Sequence, residues 1–164
     1  MDEQVYYEGK PAKKVIVIWI FTKLLYFLTF LVFFGFSVFL KYSLPYSYWF
    51  TVGVFVIFIL FIVYLYFLQK TYHYKITDKG AYFSGGIIIR KQKFVPSYKI
   101  TNIVTSQNII ERALGINKIG IQTAGMGGYA RPEIVFEGLV NPTEPADILR
   151  DLLKKTQAGY EQNE

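Results

Sequence analysis

The chain has 164 residues with 18 Lys and Arg against 12 Asp and Glu, a formal charge of +6, one histidine and no cysteine. Without cysteine there are no disulfides, thiolate metal sites or cysteine nucleophiles, and one histidine builds a metal site only where several carboxylates converge on it. Composition thus points away from an enzyme and calls for no cofactor, which leaves hydropathy as the leading signal.

Residues 1–14 are polar and mixed in charge, and are expected to form a cytoplasmic N-terminal arm, mobile or lying on a membrane. Two apolar runs follow, 15–40 and 48–68. The second has 21 residues and no charge, which matches the roughly 20 that a helix needs to cross a bilayer. The first contains one charge, Lys23, next to Trp19 in the first turns of the span. That lysine reads as an anchor extending to the headgroups. Residues 41–47 are too short for anything but an antiparallel connection, so 15–68 is expected to be a two-span transmembrane hairpin. Lys10, Lys13 and Lys14 precede it and Lys70, Lys75 and Lys79 follow it, while the connection holds only Lys41. This bias predicts a multi-pass protein of the cell membrane with both termini cytoplasmic. Gly35, Ser37 and Gly53 would permit close helix packing.

A domain is expected over 71–157. Thr71 to Thr77 alternates, with Tyr72, Tyr74 and Ile76 on one side and His73 and Lys75 on the polar side. Asp78-Lys79-Gly80 reads as a tight turn. Residues 81–91 form a second strand interrupted at Ser84-Gly85-Gly86, by a bulge or a second turn. Residues 94–96 are a short extended piece ended by Pro96, and 100–107 are β-branched enough for another strand. Asn108, Glu111 and Gly115 bracket a short helix over 109–114. Strands resume at 118–124 and 133–138, joined by the glycines at 125, 127 and 128. Asn141 and Pro142 open a final helix, with Ile148, Leu149, Leu152 and Leu153 as its apolar stripe, ending near Thr156. Residues 158–164 are expected to fray.

Catalytic patterns are missing from this plan. The glycines near 125 do not open a helix or precede Lys-Ser or Lys-Thr, and Glu133 and Glu137 lie about 13 Å apart on a strand, too far for a glycosidase pair. Charge distribution says more. Residues 70–99 hold seven bases against Asp78, and 100–164 hold six against eight acids. Within the basic half Lys75, Lys79, Arg90, Lys91 and Lys93, with Lys99 nearby, are the expected contacts with a membrane surface or lipid headgroup. Anionic lipid is a nearer counter-charge than nucleic acid for a domain close to a bilayer.

Residues 90–125 also carry fixed spacings: Pro96 and Ile100 as P-x-x-x-I, Gln107, Arg112 and Gly115 as Q-x-x-x-x-R-x-x-G, and Thr123, Ala124 and Gly125 as T-A-G. On these the chain resembles the membrane-anchored bacterial and archaeal pleckstrin-homology-like (PH-like) domain family. The resemblance implies a mainly-β barrel or sandwich of about seven strands capped by the C-terminal α-helix, a tendency to self-associate, and no established reaction. Pro96, Gln107, Arg112, Gly115, Thr123 and Gly125 then read as structural: Pro96 ends a strand, Gly115 ends a helix in a left-handed conformation, and Arg112 bridges to nearby carbonyls. The function implied is a non-enzymatic interaction or scaffolding module at the inner face of the membrane. Its partners would be anionic lipids, a second copy or a membrane protein, with no nucleic acid and no metal. An accessory subunit of a transporter or envelope-maintenance complex and a lipid-headgroup-binding domain stand as alternatives.

Overall fold

The computed structural model describes residues 3–23, 28, 32, 35, 45–123 and 132–161. The chain divides into two units, Met1–Val15 with Leu68–Glu164, and Ile16–Phe67.

The first unit is mainly β. Strands β1 (Val5–Gly9), β2 (His73–Thr77), β3 (Gly80–Gly85) and β4 (Lys91–Pro96) form an antiparallel sheet in that order. A 3-10 turn at Ser97–Lys99 leads into a second antiparallel sheet of β5 (Ile100–Ser106), β6 (Asn117–Thr123) and β7 (Ile134–Leu139). Alternation in β2 buries Tyr74 and Ile76 completely. They pack with Ala81 and Val95 of the same sheet, Ile119, Ile121, Ile134 and Phe136 of the other, and Ala146, Leu149 and Leu152 of the C-terminal helix. Each fully buried Ile, Leu or Phe contributes about 1.5–3 kcal/mol of transfer energy, so this three-layer contact is what closes the unit.

Of the expected N-terminal arm, the described residues 3–14 are not loose. Val5, Tyr6 and Tyr7 are strand formers, and β1 pairs with β2, placing Tyr7 opposite Ile76 and Glu8 opposite Lys75. The chain then crosses β7, where the Ala12 N–H donates to Gly138 O (2.9 Å) and Val15 is buried. Helix α2 (Ile109–Leu114) joins β5 to β6, and α3 (Thr143–Glu161) covers the core. Asn141 Oδ1 accepts from the Thr143 N–H at the start of α3 (3.2 Å). The helix runs past the expected end near Thr156 because no residue there stops it; a lone Gly159 costs only about 1 kcal/mol.

The second unit contains a helical stretch over 16–23 and most of α1 (Pro45–Thr71). Here the sequence expectation is corrected. Among the described residues no helix is long and apolar enough to cross a membrane. That finding overturns the two-span hairpin and the multi-pass placement with both termini cytoplasmic. Most of the first run, beyond Lys23, lies outside the described residues. An apolar run does not by itself say whether lipid or protein surrounds it, and the ends of both runs serve the β unit. Val15 and Leu68 are core residues, and Gln69, itself buried, donates to Pro11 O. The flanking charges have local tasks as well: Lys14 Nζ donates to Leu114 O at the end of α2 (3.1 Å).

Candidate anion-binding site

The β3–β4 connection carries the most distinctive group of side chains. Gly85 pairs with Lys91, which leaves residues 86–90 as the loop. Gly86 has φ +113°, and a Cβ there would come within 2.0 Å of Ile89 O, so the tight turn requires glycine. The Gly86 N–H donates to Thr71 Oγ1 (3.0 Å), and the Thr71 hydroxyl donates to Leu68 O (2.8 Å). The loop is thereby tied to the end of α1. Beside it lies a recess of about 260 Å³ lined by Thr71, Ser84, Gly86, Arg90, Lys91 and Gln92. Arg90 and Lys91 are exposed, and among the described residues neither has an ionic partner.

The other three expected cations are elsewhere. Lys75 lies on the outer face of the first sheet, 3.3 Å from Glu3 Oε2 and 5.6 Å over the Tyr82 ring. Glu3 also accepts from the Thr77 hydroxyl (3.0 Å). Hydrogen bonding from Tyr82 and Thr77, with Lys75 alongside, holds the Glu3 carboxyl below its usual range. The same contact pushes the Tyr82 phenol up. Lys93 sits in register with Phe83 and Tyr74, and its Nζ reaches across to Glu133 O (2.6 Å). Lys79 occupies the β2–β3 turn, at the opposite end of β3 from Arg90. The fold therefore brings together only Arg90 and Lys91 of the five.

A wider groove of about 510 Å³ runs over the outer face of the first sheet, past Glu8, His73, Lys75, Tyr82 and Phe94. Tyr82 and Phe94 stack there at 4.3 Å. Its two lysines are already engaged, Lys75 by Glu3 and Lys93 by Glu133 O, so the smaller recess is the better anion site. Among the described residues no group of three His, Asp or Glu could hold a metal.

The signature residues lie on the scaffold. Pro96 ends β4 opposite Gly80, where a Cβ would meet Pro96 Cα at 2.9 Å. Gln107 Nε2 donates to Ile116 O (3.0 Å), closing the loop around α2. Gly115 is left-handed (φ +65°) and its N–H returns to Arg112 O (3.1 Å). Arg112 is exposed, and only its backbone is used in these bonds. Thr123 Oγ1 donates to Glu133 Oε2 (2.8 Å), while Gly125 lies outside the described residues.

Of the bulge and the second turn left open at Ser84-Gly85-Gly86, the structure has the turn, and it places three isoleucines at its tip. Ile87, Ile88 and Ile89 are 39%, 81% and 69% exposed, where a strand through residue 91 would have buried alternate ones. The Gly85-Gly86 pair is the signal that marked this place, since a left-handed glycine is where a strand stops and turns.

Two antiparallel sheets closed by a C-terminal helix, with cations gathered at a loop end, define a PH-like domain. The family model described as bacterial PH domain matches residues 15–156, and the chain belongs to that family. PH-like domains are in general non-catalytic modules that bind proteins or lipids. No curated protein and no solved structure matches the chain.

Proposed function

We propose that this chain is a non-enzymatic interaction module that docks on acidic surfaces through the recess beside Arg90 and Lys91. The observation that carries the reading is the pairing of two unpartnered cations with hydroxyl and amide side chains, Thr71, Ser84 and Gln92, around one opening. Charged donors to phosphate or carboxylate oxygens make the stronger class of hydrogen bond. Lys75 and Lys93 support the frame and take no part in the contact.

Titrating the full chain with inorganic phosphate, while following the backbone amides of Gly85 and Gly86 by NMR, tests this directly. Saturable shifts on the order of millimolar affinity are expected, and they vanish in the R90A/K91A variant. Shifts that persist in that variant defeat the reading.

A second reading comes from α1, whose Phe55, Leu60 and Phe67 are more than half exposed. Exposed apolar surface of this kind marks a place where a partner packs. In that reading α1 joins the chain to a second copy or to another protein as an accessory subunit. Sedimentation of the full chain, with and without F55S/L60S, separates the cases: self-association lost in the variant supports a second copy.

A further inference from the structure

We propose that the tip Ile87-Ile88-Ile89 is a wedge that enters the interface of an anionic lipid bilayer, with Arg90 and Lys91 taking headgroup phosphates in the adjoining recess. This rests on the reading of the recess as an acidic-surface site and specifies the surface.

Loops are ordinarily built from Gly, Asn, Asp, Ser and Pro. Here three consecutive β-branched apolar residues project at the tip, two of them more than two-thirds exposed. Nor is the tip held there by slack. Gly86 approaches Ile89 O too closely for any other residue, and its N–H is fixed on Thr71. A tip already ordered in its projecting form avoids most of the ordering cost on binding.

The charges next to it match the chemistry of a lipid interface. Arg90 and Lys91 follow the tip directly, and no Asp or Glu occurs between Asp78 and Glu111. Apolar side chains a few ångströms below headgroup level, with cations at that level, is the arrangement that binds anionic leaflets.

Size argues against a protein as the occupant. A stable protein interface buries about 800 Å² per partner, far more than three isoleucines offer. A bilayer accepts a small wedge, because buried apolar area and attraction to acidic lipids add together.

The absence of native cysteine makes a local test available. An environment-sensitive fluorophore on I88C in the full chain is compared with the same probe on V104C, a position on β5 in the other sheet. Vesicles are phosphatidylcholine alone or phosphatidylcholine with phosphatidylserine. The expected result is a blue shift with protection from aqueous quencher at position 88, only with phosphatidylserine present, and no change at position 104. I87S/I88S/I89S should weaken binding to acidic vesicles by about a hundredfold, and R90E/K91E by about tenfold or more. A water-exposed probe at position 88 on vesicles that do bind the chain overturns the wedge, while the phosphate titration still decides the recess. A blue shift in the absence of lipid overturns it in favour of a second copy. Failure of both the vesicle and the phosphate experiments removes the recess reading along with the wedge.

Discussion

The Tyr74 hydroxyl lies 3.0 Å from both the backbone N–H and the C=O of Glu137, accepting from one and donating to the other. Tyr74 belongs to the first sheet and Glu137 to the second. Between the pairs Ile119 with Phe136 and Asn117 with Leu139, β7 has one more residue than β6, which is a β-bulge. The phenol bonds both backbone groups of a residue within the bulge, so a single side chain joins the two sheets at this irregularity.

Removing that hydroxyl should be costly while leaving the packing intact. Tyr74 stacks on Phe136 at 4.7 Å, a contact that phenylalanine preserves. The Y74F variant should lose about 1–3 kcal/mol with the two bonds that the phenol makes to Glu137. Urea unfolding is the measurement, read as a lower midpoint at unchanged slope. Burial pushes the phenol's pKa up, so in an alkaline absorbance titration Tyr74 should stay protonated while exposed tyrosines ionise.

Gly138 completes the same corner. It has φ +72°, and a Cβ would stand 2.9 Å from Val15 Cβ. G138A should therefore cost more than the roughly 1 kcal/mol of left-handed strain alone, because Val15 is buried and cannot give way freely. A double-mutant cycle with V15A checks this: relief of the clash appears as a coupling of about 0.5 kcal/mol or more. Strict additivity would mean that the two residues do not press on each other.

How far this architecture could be read from the chain depends on how local each signal is. Helix α2 was legible because its start and stop signals, Asn108 with Glu111 and Gly115, lie within eight residues of one another. The alternation of β2 and the apolar stripe of α3 were legible for the same reason. Strand β1 was not, since its partner lies beyond both apolar runs and pairing over such a distance leaves no local mark. At Ser84-Gly85-Gly86 the sequence leaves a bulge or a turn open because Ile87-Ile88-Ile89 has strand chemistry, and the φ of Gly86 decides for the turn. Charge is the hardest to read: Lys75 meets Glu3 across 72 positions and Lys93 meets Glu133 across 40. The apolar runs misled in a different way, because composition reports how apolar a helix is and leaves open what covers it.

The expected basic patch should separate experimentally into two groups. K93M removes the bond to Glu133 O, an exposed contact, and should lower stability by about 0.5–1 kcal/mol with phosphate binding kept. R90A/K91A should change the stability read from urea unfolding by less than about 0.5 kcal/mol and abolish the phosphate response. Paired urea and phosphate titrations on the two variants give the comparison. Equal effects on binding from both would show that the charges act as one diffuse field.

Glu3 should make stability depend on pH from the acid side. Its carboxyl is held below the ordinary value of 4.5, chiefly by the Tyr82 and Thr77 hydroxyls, against an opposing effect of desolvation, with Lys75 adding to the lowering. A group with a depressed folded-state pKa contributes fully above its unfolded value and loses that contribution as pH falls through the folded one. Tyr82 works in the opposite sense: its raised pKa stabilises below the ordinary phenol value and the contribution is lost as pH rises through the folded one. Urea midpoints for the wild type should therefore fall off both below pH 4.5 and in the alkaline range. In E3Q, which keeps the shape but carries no charge, the acid-side fall should be shallower and the alkaline one weaker, because Tyr82 no longer faces a carboxylate. A profile for E3Q that parallels the wild type at both ends would mean that Glu3 does not hold β1 to its neighbours through charge.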